Sequence, residues 1–177
     1  KYVDLVKRDY NAKNNEIIIA TDVSYISAPK DVDNNFVYFS ACIDHKTKKI
    51  LNWNLSTRND IELVLEHVKN IKYDKKWIIH SDHGFQYSSK DYVDIIKQNN
   101  GLISMSRIGN SLDNREIEYF FSIIKTEHLY NLEIKRMTFV ELKESIKSYI
   151  EWYNNERLQS NLNWKTPQQC WDVYSYL

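Results

Sequence analysis

The stretch KKWIIHSD, Lys75 to Asp82, decides how this chain folds. It is a short apolar run, led by lysines and closed by an aspartate two residues before Gly84, and it reads as a buried strand. Just before it, RNDIELVLEHVKNI carries Ile61, Leu63 to Leu65, Val68 and Ile71 on a helical period. A strand reached through such a helix returns parallel to an earlier strand by a right-handed crossover. One parallel strand is enough to make the sheet mixed.

Working backwards, EIIIATDVSYI (16–26), FVYFSACID (36–44) and ILNWNLS (50–56) read as three strands joined by the loops SAPKDVDNN and HKTKK. Short connections make them an antiparallel meander. Working forwards, Ser88 opens a second helix with Asp91 as its capping-box partner, Tyr92, Ile95 and Ile96 on its apolar face and Gly101 at its end. GLISMS is a fifth strand. Asp113 reads as the N-cap of a third helix with Glu116 as its reciprocal partner, and that helix carries Ile117, Phe120, Phe121 and Ile124 on one face. Thr138 and Glu141 form another capping box for a long final helix bearing Phe139, Leu142, Ile146, Tyr149, Ile150 and Tyr153. The order βββαβαβα predicts an α/β fold, a mixed five-stranded sheet flanked by helices with a C-terminal helical extension.

Composition sets the outer bounds. A chain of 177 residues with 42% hydrophobic content builds its own core, which excludes a disordered tail or a disulfide-stapled miniprotein. No apolar run approaches the ~20 residues that span a bilayer, and no signal-peptide pattern opens the chain. Cys42 and Cys170 have neither metal-ligand spacing nor a disulfide framework, so a soluble cytoplasmic protein with no membrane partner is expected. Formal net charge is zero, whereas domains that hold nucleic acid by phosphate contacts usually carry a basic excess. Charge balance alone therefore argues mildly against a nucleic-acid partner, and any such reading must come from a site. The chain opens on KYVDLVKRDYNAKNNE with no initiator Met, and reads as a fragment or processed product with residues 1–15 as a linker.

Two aspartates supply that site. Asp22 lies mid to late in the first strand and Asp82 ends the fourth, so if these strands are neighbours both carboxylates enter one crevice at the strand ends. Paired carboxylates repel unless a proton or cation joins them, and hard oxygen donors suit Mg²⁺ or Mn²⁺. A third carboxylate would hold two ions ~4 Å apart for in-line phosphoryl displacement. Glu116 and Glu118 are the candidates on the third helix, about 200° apart around its axis, so one at most faces the site. Glu116 is committed to the capping box, while Glu118 shares a face with Asn114, Ser122 and Lys125. Glu118 is the expected third member.

Thirty-five residues separate Asp82 from Glu118, the spacing of DDE transposases and retroviral integrases. In order along the chain, TDVSYI, IHSDHGFQY, SMSRIGNSLDNREIEYFFSIIKTE and YIEWYNNERLQSNLNWKTP resemble the catalytic core of bacterial insertion-sequence transposases of the IS three family, OrfB type. The similarity runs from about residue 16 to about residue 170. It implies a ribonuclease-H-like catalytic core over 16–130, with 131–177 as the helical extension. It implies a site of two Mg²⁺ ions, replaceable by Mn²⁺, held by Asp22, Asp82 and Glu118. The implied activity is DNA cleavage followed by attack of the freed 3′-OH on another strand. The implied partners are element ends and target DNA, bound by a homo-oligomer at the nucleoid. Asn114 and Lys125 match family positions on the same helix, with contacts to the site or to DNA. Tyr153, Asn154 and Arg157 match the tail signature, read as docking or DNA contact. His83 stands where glutamine is commoner, and Gln159 where the tail usually has histidine. The family's upstream helix-turn-helix region is not among these residues, and end recognition is expected to lie there.

Asp82 could be an ordinary strand-end residue, and Asp22 a solvated edge residue, although an aspartate within IIIATDVSYI is awkward in a central strand unless paired. His80 and His83 diverge at a strand end with no third ligand near, which disfavours zinc. A His80, Ser81, Asp82 triad lacks the required geometry, because triad members meet through the fold. Lys125 could be a solvated helix lysine, and Tyr149, Trp152, Tyr153 and Trp164 read as packing before base stacking. A stand-alone ribonuclease-H-like nuclease, a non-catalytic transposase remnant and a purely structural domain remain as alternatives.

Overall fold

The computed structural model describes residues 2–6, 17–106 and 114–174. Three strands open the fold: β1 (Ile17–Ser27), β2 (Phe36–Asp44) and β3 (Ile50–Ser56). Helix α1 (Ile61–Val68) leads to β4 (Trp77–Ser81), and α2 (Lys90–Gln98) to β5 (Gly101–Met105). Three helices complete the chain: α3 (Arg115–Glu127), α4 (Phe139–Asn155) and α5 (Pro167–Tyr174). The sheet order is β3-β2-β1-β4-β5. β1 pairs antiparallel with β2 and β2 with β3, whereas β1–β4 and β4–β5 are parallel. The expected mixed sheet is present, and all five residues of β4 are buried, as a strand covered on both faces requires.

Strand alternation divides the core in two. Ala20 and Ile26 of β1 join Phe39, Ala41 and Ile43 of β2 beneath α3 and α4, where Ile117, Phe120, Ile124, Leu142, Ile146 and Tyr153 close the layer. The opposite face packs Ile19, Trp77, Ile79 and Ile103 against Val64 and Val68 of α1 and Tyr92 and Ile96 of α2. Residues 2–6, within the expected linker, reach the parallel half of the sheet: Val6 packs on Ile18 of β1 and Ile78 of β4, and the Leu5 N–H donates to Ser104 Oγ of β5 at 2.9 Å. Among the described residues no helix is long and apolar enough to cross a membrane.

Three local expectations shift. The cap of α2 is Ser89, whose Oγ accepts from Tyr92 N–H at 3.2 Å, and not Ser88, because Phe85–Ser88 is consumed by a 3₁₀ turn. The chain leaves α2 through Asn100, at φ 63, so Gly101 is the first residue of β5 and not a helix terminator. And α4 is not the final helix. Thr166 and Gln169 exchange bonds, Thr166 N–H to Gln169 Oε1 at 2.9 Å and Gln169 N–H to Thr166 Oγ1 at 3.1 Å, a capping box that starts α5 with Pro167 as its first residue.

Gly101 earns its place by close approach. A Cβ there would lie 2.6 Å from Ile96 Cγ2 and 2.7 Å from the Trp77 ring, which is itself fully buried and fixed by Nε1–H donation to Asn99 O at 2.7 Å. Gly101→Ala is expected to cost about 2–3 kcal/mol by overpacking. Thermal unfolding should fall by about 4–10 °C, and an unchanged melting temperature would contradict the close approach.

Candidate active site

β1 is where the sheet changes direction, antiparallel to β2 on one side and parallel to β4 on the other. The parallel register runs from Ile17 opposite Trp77 to Ala20 opposite His80. Continued two residues further, the same offset sets Asp22 beside Asp82. β4 ends at Ser81, so the crevice at the strand C-terminal ends opens at that level. The parallel pairing expected for β4 is observed, and its partner is β1, which meets the condition set for bringing the two aspartates together.

Asp22 is half-buried, with Oδ1 accepting from Val23 N–H at 2.7 Å. Asp82 is exposed, with Oδ1 accepting from Gly84 N–H at 2.8 Å. A Cβ on residue 84 would sit 3.0 Å from the same oxygen, a tight contact that the absence of a side chain avoids. Among the described residues Oδ2 of each aspartate accepts no hydrogen bond, and Glu118 makes neither a hydrogen bond nor an ion pair.

The third carboxylate arrives on α3. Asn114, buried at the start of that helix, donates Nδ2–H to Thr21 O at 3.1 Å and ties α3 to the strand next to Asp22. Glu118 follows about one turn later. A cavity of about 350 Å³ is lined by Asp22, Glu118, Ser122, Lys125 and Tyr130, among others. Burial pushes the Asp22 carboxyl up to about 7; the Val23 N–H opposes this, and the charges of Asp82 and Glu118 add to it. Glu118 is raised as well, first by burial and then by Asp82, and burial lowers Lys125. The three carboxylates therefore lie within one another's field, although among the described residues no three acidic, His or Cys side chains close into a metal cage.

Asp113 lies outside the described residues. Its expected partner Glu116 turns away from the cavity, 2.7 Å from Lys48 Nζ and 3.5 Å from His45 Nε2. Burial holds His45 neutral, its pKa pulled to about 3, so Lys48 is the charged partner. The helix-face separation of Glu116 from Glu118 is thus realised. The two histidines part company: Ser104 Oγ contacts His80 Nδ1 at 2.9 Å, and His83 Nε2 donates to Ser106 O at 2.7 Å.

Tyr153 packs as the sequence leads one to expect, while Asn154 and Arg157 make contacts that the sequence did not disclose. Tyr153 is buried against Phe120, and Asn154 clamps α4 to β3 by accepting from Ile50 N–H and donating to Ile50 O, both at 2.9 Å. Arg157 forks onto Glu127 at 2.6 and 3.0 Å, and Tyr149 O–H donates to the same carboxylate at 2.7 Å. The Arg157 fork is engaged within the chain, on Glu127, and Arg157 is not among the residues that line the carboxylate cavity.

Residues 13–111 match the family model "Integrase core domain", and a second model of that description matches residues 101–167. The putative transposase InsK for insertion sequence element IS150 of Escherichia coli K12 is 33% identical over 93% of this chain and 57% of its own length. Transposase InsF for insertion sequence IS3fB, also of E. coli K12, is 30% identical over 94% of this chain and 57% of its own. The chain thus spans little more than half of these relatives. The HTLV-2 integrase catalytic core domain in complex with magnesium superposes with a TM-score of 0.62 at 14% identity, over 88% of this chain and 95% of that one. This likeness confirms the ribonuclease-H-like fold.

Proposed function

The chain belongs to the integrase-core transposases of the IS three family, and from that premise we propose that it is a DDE catalytic core, cutting DNA phosphodiesters and joining a freed 3′-OH to a second strand. One observation supports the reading: Asp22 of β1 and Glu118 of α3 line one cavity without cationic partners among the described residues, and the charge of Asp82, from the β4–α2 turn, reaches both. Asp22, Asp82 and Glu118 are its proposed catalytic residues.

Their donor chemistry fits Mg²⁺, with Mn²⁺ as its substitute, because the donors are hard oxygens and among the described residues Oδ2 of each aspartate accepts no hydrogen bond. Two such ions, when bound, supply Lewis-acid stabilisation of phosphoryl charge and an oxygen nucleophile at neutral pH. The chain's own groups do the rest. Asn114 fixes the distance between α3 and β1. Lys125, the cation among the cavity's lining residues, offers its ammonium to a phosphate oxygen. Without a cation, Asp22 carries a proton about half the time near neutrality. The proposed partners are element ends and target DNA, met by a homo-oligomer because two ends must be held together. Residues 16–130 form the proposed catalytic unit and 131–177 its helical extension, acting in the cytoplasm at the nucleoid.

The test is Mn²⁺-dependent cleavage and strand transfer of labelled DNA, using a pre-cut end for the joining step. Glu118→Gln is expected to lower both steps by about a hundredfold or more. Glu116→Gln should leave them within about twofold and cost about 1 kcal/mol of stability through the Lys48 pair. The reverse ranking would sink the assignment, and cleavage without joining would mark a simple nuclease.

A further inference from the structure

We propose that Tyr130 is a substrate-positioning residue whose ring stacks on a nucleobase of the strand held at the carboxylates. This deepens the reading above and rests on it. Tyr130 lines the same cavity as Asp22, Glu118 and Lys125, yet it is 73% exposed, more than Tyr25 or Tyr119. Among the described residues its ring has no aromatic or cationic neighbour and its hydroxyl no hydrogen-bond partner. Its base is firm. Residues Leu129–Asn131 form a 3₁₀ turn anchored by buried Leu129, Asn131 N–H donates to His128 O at 3.0 Å, and Asn131 Nδ2–H donates to Glu127 O at 3.2 Å. A large ring held out of the core on a fixed turn, at the mouth of a polar site, is placed to meet another flat ring.

The cavity's polar groups say which ring. Glu118 and Lys125 are seven residues apart on α3, about 10 Å along its axis, far enough for the amine to meet a following phosphate of the same DNA strand. A strand with its reacting phosphodiester at Asp22 and Glu118 and a following phosphate at Lys125 brings a base to Tyr130, just past the end of the helix. Thr126, the other hydroxyl at that end, is occupied with its own helix, donating to Ser122 O at 2.9 Å. Recognition there falls to the ring face, so the contact tolerates any base.

The experiment uses a random-sequence DNA duplex with one recessed 3′ end, carrying a single 5-iododeoxyuridine moved stepwise from the cleaved bond, in Mn²⁺. Irradiation is expected to cross-link Tyr130, mapped by peptide mass spectrometry, at positions within about four nucleotides of that bond. Tyr130→Ala should abolish this cross-link and raise KM about tenfold with kcat little changed, the size of one base–aromatic stack. Tyr130→Phe and Tyr130→Trp should restore KM. Wild-type KM in Tyr130→Ala, or a Tyr130→Phe variant as weak as alanine, overturns the inference while leaving the cleavage reading intact. A wild-type protein no more active than Asp82→Asn would instead bring down the cleavage reading and this inference with it.

Discussion

Asp82→Asn is expected to abolish metal-dependent DNA cleavage, a loss of about a thousandfold or more, or about 4 kcal/mol of transition-state stabilisation. Asparagine keeps the shape and keeps an Oδ1 that accepts the Gly84 N–H. What it removes is the negative charge and the open anionic Oδ2, the two properties a hard cation requires. The fold should not notice. Asp82 is exposed, lies just past the end of β4, and makes no ion pair with the described residues. The melting temperature is accordingly expected to stay within about 2 °C of wild type while nicking of labelled DNA in Mn²⁺ disappears. Wild-type cleavage by this variant would remove Asp82 from the mechanism, and a collapsed melting temperature would make its role structural.

Much of this was legible in the sequence, for reasons visible in particular residues. β2 and β3 were readable to the residue because turn-forming Asp, Asn and Lys clusters bound them on both sides. That β4 runs parallel to an earlier strand was readable from the strand–helix–strand order, but that this strand is β1 was an assumption, which the pairing of β1 with β4 supplies. The α2 boundaries slipped because Ser88 and Ser89 are equally good caps, and only the 3₁₀ turn before them chooses. Helix α5 was missed although Thr166, Pro167 and Gln169 spell a capped start; an exposed, weakly patterned helix gives no periodicity to follow. Contacts between distant residues left no local trace. Asn114 bonds Thr21 across 93 positions and Asn154, read as docking or DNA contact, bonds Ile50 across 104 and so holds α4 to β3. The placement of Tyr130 at the cavity likewise depends on where α3 ends, which no spacing rule supplies.

Asp22→Asn is expected to stabilise the metal-free protein at alkaline pH while destroying its activity, the signature of a carboxylate held for function against the interest of the fold. Burial first, then the charges of Asp82 and Glu118, lift the Asp22 carboxyl from 3.8 to about 7. The folded state therefore binds this proton more tightly than the unfolded chain does. The stability it confers is complete below about pH 4 and is lost as pH rises to about 7, after which the full cost of the charge remains. A shift of about three units corresponds to about 4 kcal/mol, and solvent reaching a half-buried carboxylate halves this to about 2 kcal/mol. Asparagine carries no charge to penalise, still accepts the Val23 N–H, and turns an amide toward the two neighbouring acids. At about pH 8 its melting temperature should exceed wild type by about 4–8 °C, with the gap closing toward about pH 4. Other groups also titrate, notably His45 and His67, which burial pulls to about 3, so the variant-minus-wild-type difference is the quantity to read. Saturating Mn²⁺ should raise wild-type stability by about 3 kcal/mol at a hundredfold excess over Kd and leave Asp22→Asn nearly unmoved. A variant less stable than wild type at about pH 8, or a wild-type melt indifferent to Mn²⁺, would show that the convergence of carboxylates is not a cation site.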